Sequence, residues 1–229
     1  MSIRERLDIS AYLVIGQENT SHPVEEVVAA AVAEGFTCVQ IRSKVATARE
    51  MIATLEKSAR AIRELGKSDS VALLVDDRLD VVLAAREAGI KVDGVHVGQN
   101  DIPVEVCRKY LGEDSIVGLS ARTNELIDYV KSADVSQIDY FGAGPLHETK
   151  TKPDCGKTAD GRIVTRSFEE ITELVQVSPI PVVIGGGVKL KDIPNLAATG
   201  VQGFFVVSAV AGADNPRLAA CELVSAWRK

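Results

Sequence analysis

Eight short apolar runs rich in Val and Ile recur along the chain, separated by segments of helical pattern, and this alternation constrains the fold more than any other feature. The runs are AYLVIG (Ala11 to Gly16), CVQIR (from Cys38), VALLVD (Val71 to Asp76), GVHVG (Gly94 to Gly98), IVGLS (Ile116 to Ser120), DYFGAG (Asp139 to Gly144), PVVIGGG (Pro181 to Gly187) and GFFVVSAV (Gly203 to Val210). The helical pattern is clearest from Thr47 to Leu65, where Met51, Ile52, Leu55, Ala59, Ile62 and Leu65 make one stripe. Thr47 and Glu50 have capping-box spacing at its start, and Gly66 can take the left-handed turn that stops it. A helix from Pro23 to Glu34 ends at Gly35, one from Leu79 to Ala88 ends at Gly89, and Asn215-Pro216 opens a last helix carrying Leu218, Leu223, Val224 and Trp227. Eight strand–helix pairs in 229 residues predict an α/β fold of the (β/α)8, or TIM barrel, type. A doubly wound sheet is the weaker alternative, because Gly142-Ala143-Gly144 runs into Pro145 and a polar loop instead of a helix start. No linker or low-complexity tract interrupts the pattern, so residues 1–229 are expected to form a single domain.

Composition narrows the partners. With 46% hydrophobic residues and a formal net charge of -6, the chain has material for a core and an average field that repels nucleic acid and anionic membrane. Met1 leads into the charged MSIRERLDIS without an apolar leader, and no run approaches the ~20 apolar residues of a membrane helix, so a cytoplasmic location is expected. A homo-oligomer is left open. Cys38, Cys107, Cys155 and Cys221 are scattered, with no zinc spacing, and read as reduced thiols.

Strand parity then gathers polar groups at one end of the barrel. Gln40, Arg42 and Lys44 alternate along the second strand and point one way, toward the C-terminal mouth where a barrel tolerates polar groups. Asp76 closes strand three and Asp101 follows strand four, two hard oxygen donors suited to Mg²⁺; Asp77 reads instead as the cap of the next helix. Gly185, Gly186 and Gly187 after strand seven, with Ser208 after strand eight, suit a phosphate monoester. The connection from Pro145 to Arg166 runs to ~20 residues where 2 to 6 are usual, which points to an active-site loop offering Thr149, Thr151 and Lys152. Ser120 adds a hydroxyl at the end of strand five, and His96 reads equally well as a satisfied core histidine or a functional one.

Together these residues resemble the thiamine phosphate synthase family over nearly the whole chain. The family pattern Q-x-R-x-K is met by Gln40, Arg42 and Lys44, an acid after strand three by Asp76, and G-x-H-x-G-Q-x-D by Gly94, His96, Gly98, Gln99 and Asp101. G-x-S is met by Ser120, and the GPLHETKTK segment, Gly144 to Lys152, is similar to the family's G-P-(x)4-T-x-T-K. The Gly-Gly after strand seven and V-S-A after strand eight match as well.

The resemblance implies that hydroxymethylpyrimidine diphosphate and a hydroxyethylthiazole phosphate, or its carboxylated precursor, join to give thiamine phosphate and diphosphate. It implies catalytic roles for Arg42, Lys44 and Lys152, and Mg²⁺ held by Asp76 and Asp101. Substrate contacts carried over with it are Gln40, Ile41, Ser43, Val75, Ser120, Thr149, Lys150, Thr151, Gly187, Val207 and Ser208. Val75 stands where the family usually has Asn before the first metal acid; the strand-seven turn reads Ile184-Gly185-Gly186-Gly187, and His147 and Glu148 replace an aromatic residue and a proline. Two other readings use the same barrel. A thiazole tautomerase relies on a histidine two positions after the strand-five serine, where this chain has Arg122, and a non-catalytic thiazole-phosphate sensor would tolerate Val75. A phosphate-sugar isomerase would need an acid/base pair that the sequence does not display.

Overall fold

All eight apolar runs form strands, and parallel pairing between each and the next closes them into a barrel, β8 returning to β1. The computed structural model describes residues 2–149, 156 and 162–228. The strands are β1 (Ala11–Ile15), β2 (Cys38–Ile41), β3 (Ala72–Asp76), β4 (Gly94–Val97), β5 (Ile116–Ser120), β6 (Tyr140–Ala143), β7 (Val182–Ile184) and β8 (Gly203–Val206). Around them lie α1 (Val24–Ala33), α2 (Ala48–Glu64), α3 (Leu79–Glu87), α4 (Val104–Leu111), α5 (Leu126–Ser132), α6 (Phe168–Val177), α7 (Ile193–Ala198), α8 (Ser208–Ala211) and α9 (Pro216–Trp227). Among the described residues, no helix is long and apolar enough to cross a membrane.

Period-two alternation divides the apolar residues into two layers. Leu13, Val39, Leu73, Val95 and Val117 face outward and pack with helix residues such as Val28, Leu55 and Val82. Tyr12, Val14, Cys38, Ala72, Leu74, Ile116, Tyr140 and Val183 fill the interior. Both strand faces are therefore buried, which is why these strands read as continuous apolar runs and why polar inward positions occur near the mouth.

Helix boundaries follow the local chemistry. At α2 the Glu50 N–H donates to the Thr47 hydroxyl at 3.3 Å and the Thr47 N–H donates to Glu50 Oε2 at 2.7 Å. Gly35, Gly66 and Gly89 end their helices at φ of 109°, 69° and 74°. Asn215 caps α9 by accepting from the Leu218 N–H at 3.0 Å. Two stripe residues miss the core, Leu65 and Leu218 being 39% and 54% exposed, because each lies at a helix end where the apolar face turns to solvent. The run GFFVVSAV is not one strand: β8 stops at Val206, and Ser208 begins the short helix α8.

The described part of the connection after β6 reaches the C-terminal mouth at Gly144, Thr149 and Gly156, which line the cavity there. Its start is tied to the β7 turn, with the Leu146 N–H donating to Gly185 O at 3.0 Å and the His147 N–H to Gly186 O at 2.9 Å. Its end returns through the Arg166 N–H, which donates to Pro145 O at 2.9 Å.

Candidate active site

The three polar residues of the second strand converge on one carboxylate. Gln40 Nε2 donates to Asp76 Oδ1 at 3.2 Å. Arg42 Nε lies 3.1 Å from Asp76 Oδ2, an ion pair out of hydrogen-bond alignment, and Lys44 Nζ lies 3.3 Å from the same oxygen while also pairing with Asp77. Asp76 is only 5% exposed, and a carboxylate so far from water persists when paired and hydrogen-bonded. It therefore fixes where both cations stand. Partial burial works against the charge on Lys44, but Asp77 and Asp76 outweigh it and hold the ammonium above its ordinary pKa.

Asp77 does not cap α3. The helix begins at Leu79 after Arg78, and no side chain caps it. Instead Asp77 adopts φ 59°, a left-handed conformation costing a non-glycine residue ~1 kcal/mol or more, while its N–H donates to His96 O at 2.8 Å. That turn brings its carboxyl group against Lys44 and within hydrogen-bonding reach of Asp101. Burial pushes the Asp77 carboxyl up, but Lys44, Asp101 and Asp76 prevail and lower it. For Asp101, at the exposed rim, partial desolvation followed by the Asp77 carboxyl raises it, although the Gly98 N–H donates to Asp101 Oδ2 at 2.8 Å.

Next to this pair stands the polar wall of β4 and β5. Ser120 Oγ lies 2.9 Å from His96 Nε2, and Gln99 Nε2 donates to Ser120 O at 2.8 Å. Arg122 is committed away from the mouth: its Nε donates to Gln99 Oε1 at 3.1 Å and its guanidinium lies 5.0 Å from the centre of the Tyr129 ring.

A second arc of the mouth is built for close backbone approach. Gly186 and Gly187 have φ of 80° and 73°, and a Cβ at Gly187 would stand 2.8 Å from His147 O. His147 is itself engaged, its Nε2 lying 2.9 Å from Asp192 Oδ2.

One cavity of about 400 Å³ joins both arcs. Of the residues expected at the site, Gln40, Arg42, Lys44, Asp76, Asp101, Ser120, Thr149, Gly187, Val207 and Ser208 line it. Gly186, expected beside the phosphate, lines it too, as do Asp77, which the sequence reads as a helix cap, and Gln99, which it places only within a matched motif. Three other expected residues turn their side chains away from the cavity. Ile41 and Val75 face the outer layer, one residue out of phase with Gln40 and Asp76, and Ser43 turns back to accept the N–H groups of Val45 and Ala46. Lys150, Thr151, Lys152 and Cys155 lie outside the described residues.

Three comparisons with known proteins agree with this geometry. The family described as thiamine monophosphate synthase matches residues 11–210. The chain belongs to the thiamine monophosphate synthase family. A thiamine-phosphate synthase of Corynebacterium efficiens is 40% identical over 225 residues, 98% of each chain, and one of Vibrio parahaemolyticus is 35% identical over 93% of this chain and 96% of its own. The structure of a thiamine phosphate pyrophosphorylase from Pyrococcus furiosus superposes with a TM-score of 0.78 at 30% identity, covering 99% of this chain and 98% of that one. A 3-hexulose-6-phosphate synthase, at 13% identity and a TM-score of 0.65, shares the barrel alone. Within the thiamine monophosphate synthase family, the paired acids of this member are thus presented by the strand-three end and the loop after strand four, beside the cations of strand two.

Proposed function

We propose that this chain is a thiamine phosphate synthase, a transferase that joins hydroxymethylpyrimidine diphosphate to hydroxyethylthiazole phosphate and releases diphosphate, or joins it to the carboxylated precursor and releases diphosphate and CO2. The observation that carries this is the convergence of Arg42, Lys44 and the Asp77–Asp101 pair on the same cavity as Gly186, Gly187 and Ser208. Two anionic ends of two substrates require two separate binding arcs, and the mouth offers both.

Mg²⁺ fits the acidic pair. Two carboxyl groups in hydrogen-bonding reach, Asp101 raised first by partial desolvation and then by Asp77, are a hard oxygen donor set whose mutual repulsion, when both are ionised, a divalent cation relieves. Among the described residues there is no three-ligand cluster of His, Cys, Asp or Glu, which agrees with an ion held by one or two carboxylates plus substrate phosphate oxygens. We assign Asp77 with Asp101 as its holders, in place of Asp76 with Asp101, because Asp76 is buried against Gln40, Arg42 and Lys44 while Asp77 and Asp101 stand nearer the open rim. When bound, the ion supplies Lewis-acid stabilisation and a template for the diphosphate.

The side chains do the rest. As the bond from the pyrimidine-bearing carbon to oxygen breaks, its electron pair leaves with the diphosphate, and charge grows on oxygens beside Arg42 and Lys44. Cations held in place by Asp76 beforehand stabilise that charge more in the transition state than in the ground state. The thiazole nitrogen then donates its free lone pair to the same carbon, so no general base is needed. Backbone at Gly186 and Gly187, with Thr149 and Ser208 and, by family resemblance, Thr151, holds the thiazole phosphate; the same resemblance puts Lys152 with Arg42 and Lys44 at the diphosphate. Val75 no longer supports the sensor reading, since its side chain faces the outer layer, and Arg122 is held by Gln99 and Tyr129 where a tautomerase needs histidine.

The test is to mix purified protein with both substrates and Mg²⁺ and follow thiamine phosphate and diphosphate. Equimolar formation of the two products is expected. Binding of the thiazole phosphate without turnover would replace the enzyme by a sensor.

A further inference from the structure

One buried histidine takes no part in that scheme, yet the barrel interior is shaped around it. His96, 7% exposed, has Nδ1 2.9 Å from Tyr140 Oη and Nε2 2.9 Å from Ser120 Oγ, and Tyr140 Oη lies 2.9 Å from Tyr12 Oη. Tyr12, Tyr140, His96 and Ser120 come from four strands, β1, β6, β4 and β5, and form an unbroken chain whose last member lines the cavity.

Room for the chain is made by missing side chains. A Cβ at Gly118 would come within 2.3 Å of Tyr140 Cζ and 2.6 Å of His96 Nδ1, and one at Gly142 within 3.0 Å of His96 Cε1. An apolar interior layer would fill this space without polar groups to satisfy. Here two phenols and an imidazole are desolvated together, an arrangement that costs free energy unless each finds its partner. Burial, reinforced by neighbouring groups, holds both phenols far above their ordinary pKa, so they are protonated donors.

The direction of the protons follows from acceptor strength. A neutral imidazole nitrogen is a much stronger base than a phenol oxygen, so the Tyr140 hydroxyl donates to Nδ1 in preference to Tyr12. Tyr12 then donates to Tyr140, and the ring proton sits on Nε2. We propose that His96 is a positioning residue: its Nε2–H donates to Ser120 Oγ, so the Ser120 hydroxyl proton points into the cavity, toward the departing diphosphate. With the opposite tautomer, Ser120 would donate to Nε2 and present lone pairs to an anion. The identity of that anion rests on the function proposed above; the tautomer does not.

Two measurements test it. In ¹⁵N-histidine NMR of the ligand-free protein, which has three histidines, the His96 signals are expected to show Nε2 protonated and Nδ1 as acceptor. A protonated Nδ1, or a mixture of tautomers, would overturn the proposal whatever the protein catalyses. Kinetically, His96→Gln extends an amide toward the Nε2 position and is expected to stay close to wild type. His96→Asn reaches only as far as Nδ1 and is expected to lose ~10- to 100-fold in kcat/KM, matching Ser120→Ala, as befits one hydrogen bond to a charged group. Combining His96→Asn with Ser120→Ala should cost no more than Ser120→Ala alone. Equal damage from Gln and Asn in folded protein, or additive losses in the double variant, would refute the role.

Discussion

Asp77, just past the end of strand three, and Asp101, in the loop after strand four, face each other within hydrogen-bonding reach, and the Asp101 carboxyl is raised by partial desolvation and then by that neighbour. Mg²⁺ titrated into the substrate-free protein is therefore expected to raise Tm, and an ion present at ~100 times its Kd adds ~2.7 kcal/mol to stability. Asp77→Asn and Asp101→Asn should each abolish that increment. Asp76→Asn should preserve it while lowering stability by ~3 kcal/mol, because Arg42 and Lys44 lose their buried counter-charge. Calorimetry with and without a chelator checks all three.

The Gly118 position gives a packing prediction. Gly118→Ala puts a methyl group into the Tyr140 ring at 2.3 Å, so denaturant unfolding should show a loss of ~1–3 kcal/mol or more. Gly142→Ala, whose nearest atom is 3.0 Å away, should cost less.

Cys107 supplies a pH signature of the outer layer. Burial pushes its thiol up to about 11 from 9.0. The folded protein keeps this proton across the window from about 9 to about 11 while the unfolded chain releases it, so the contribution to stability falls as pH rises through that window. Tyr12 and Tyr140 act in the same direction, so the comparison with Cys107→Ala isolates the thiol. Reversible unfolding under reducing conditions should give a shallower alkaline decline in that variant.

The barrel was legible because its signal repeats. The strands are largely apolar on both faces, and α1, α2 and α3 carry glycine stops at Gly35, Gly66 and Gly89. The cation cluster was legible for the same reason: Gln40, Arg42 and Lys44 share a parity, and parity survives folding. What failed did so by one residue. Asp77 stands out of phase with Asp76, and only a left-handed turn, which no alternation rule anticipates, returns its side chain to the mouth. Ile41 and Val75 are the converse, adjacent in sequence to site residues but turned to the helices. Val207 to Val210 has a β-like composition and yet departs into a helical turn, because the strand ladder ends with Val206. The Tyr12–Tyr140 contact spans 128 residues and has no local signal at all.

Diphosphate release on mixing both substrates, compared between wild type and Arg42→Ala with Tm recorded for each, tests the central claim most directly. The account predicts a Mg²⁺-dependent wild type and a folded variant slowed by ~10² or more, the cost of removing one preplaced stabiliser of the leaving charge. An unchanged rate in the folded variant, or full turnover without a divalent cation, would contradict it.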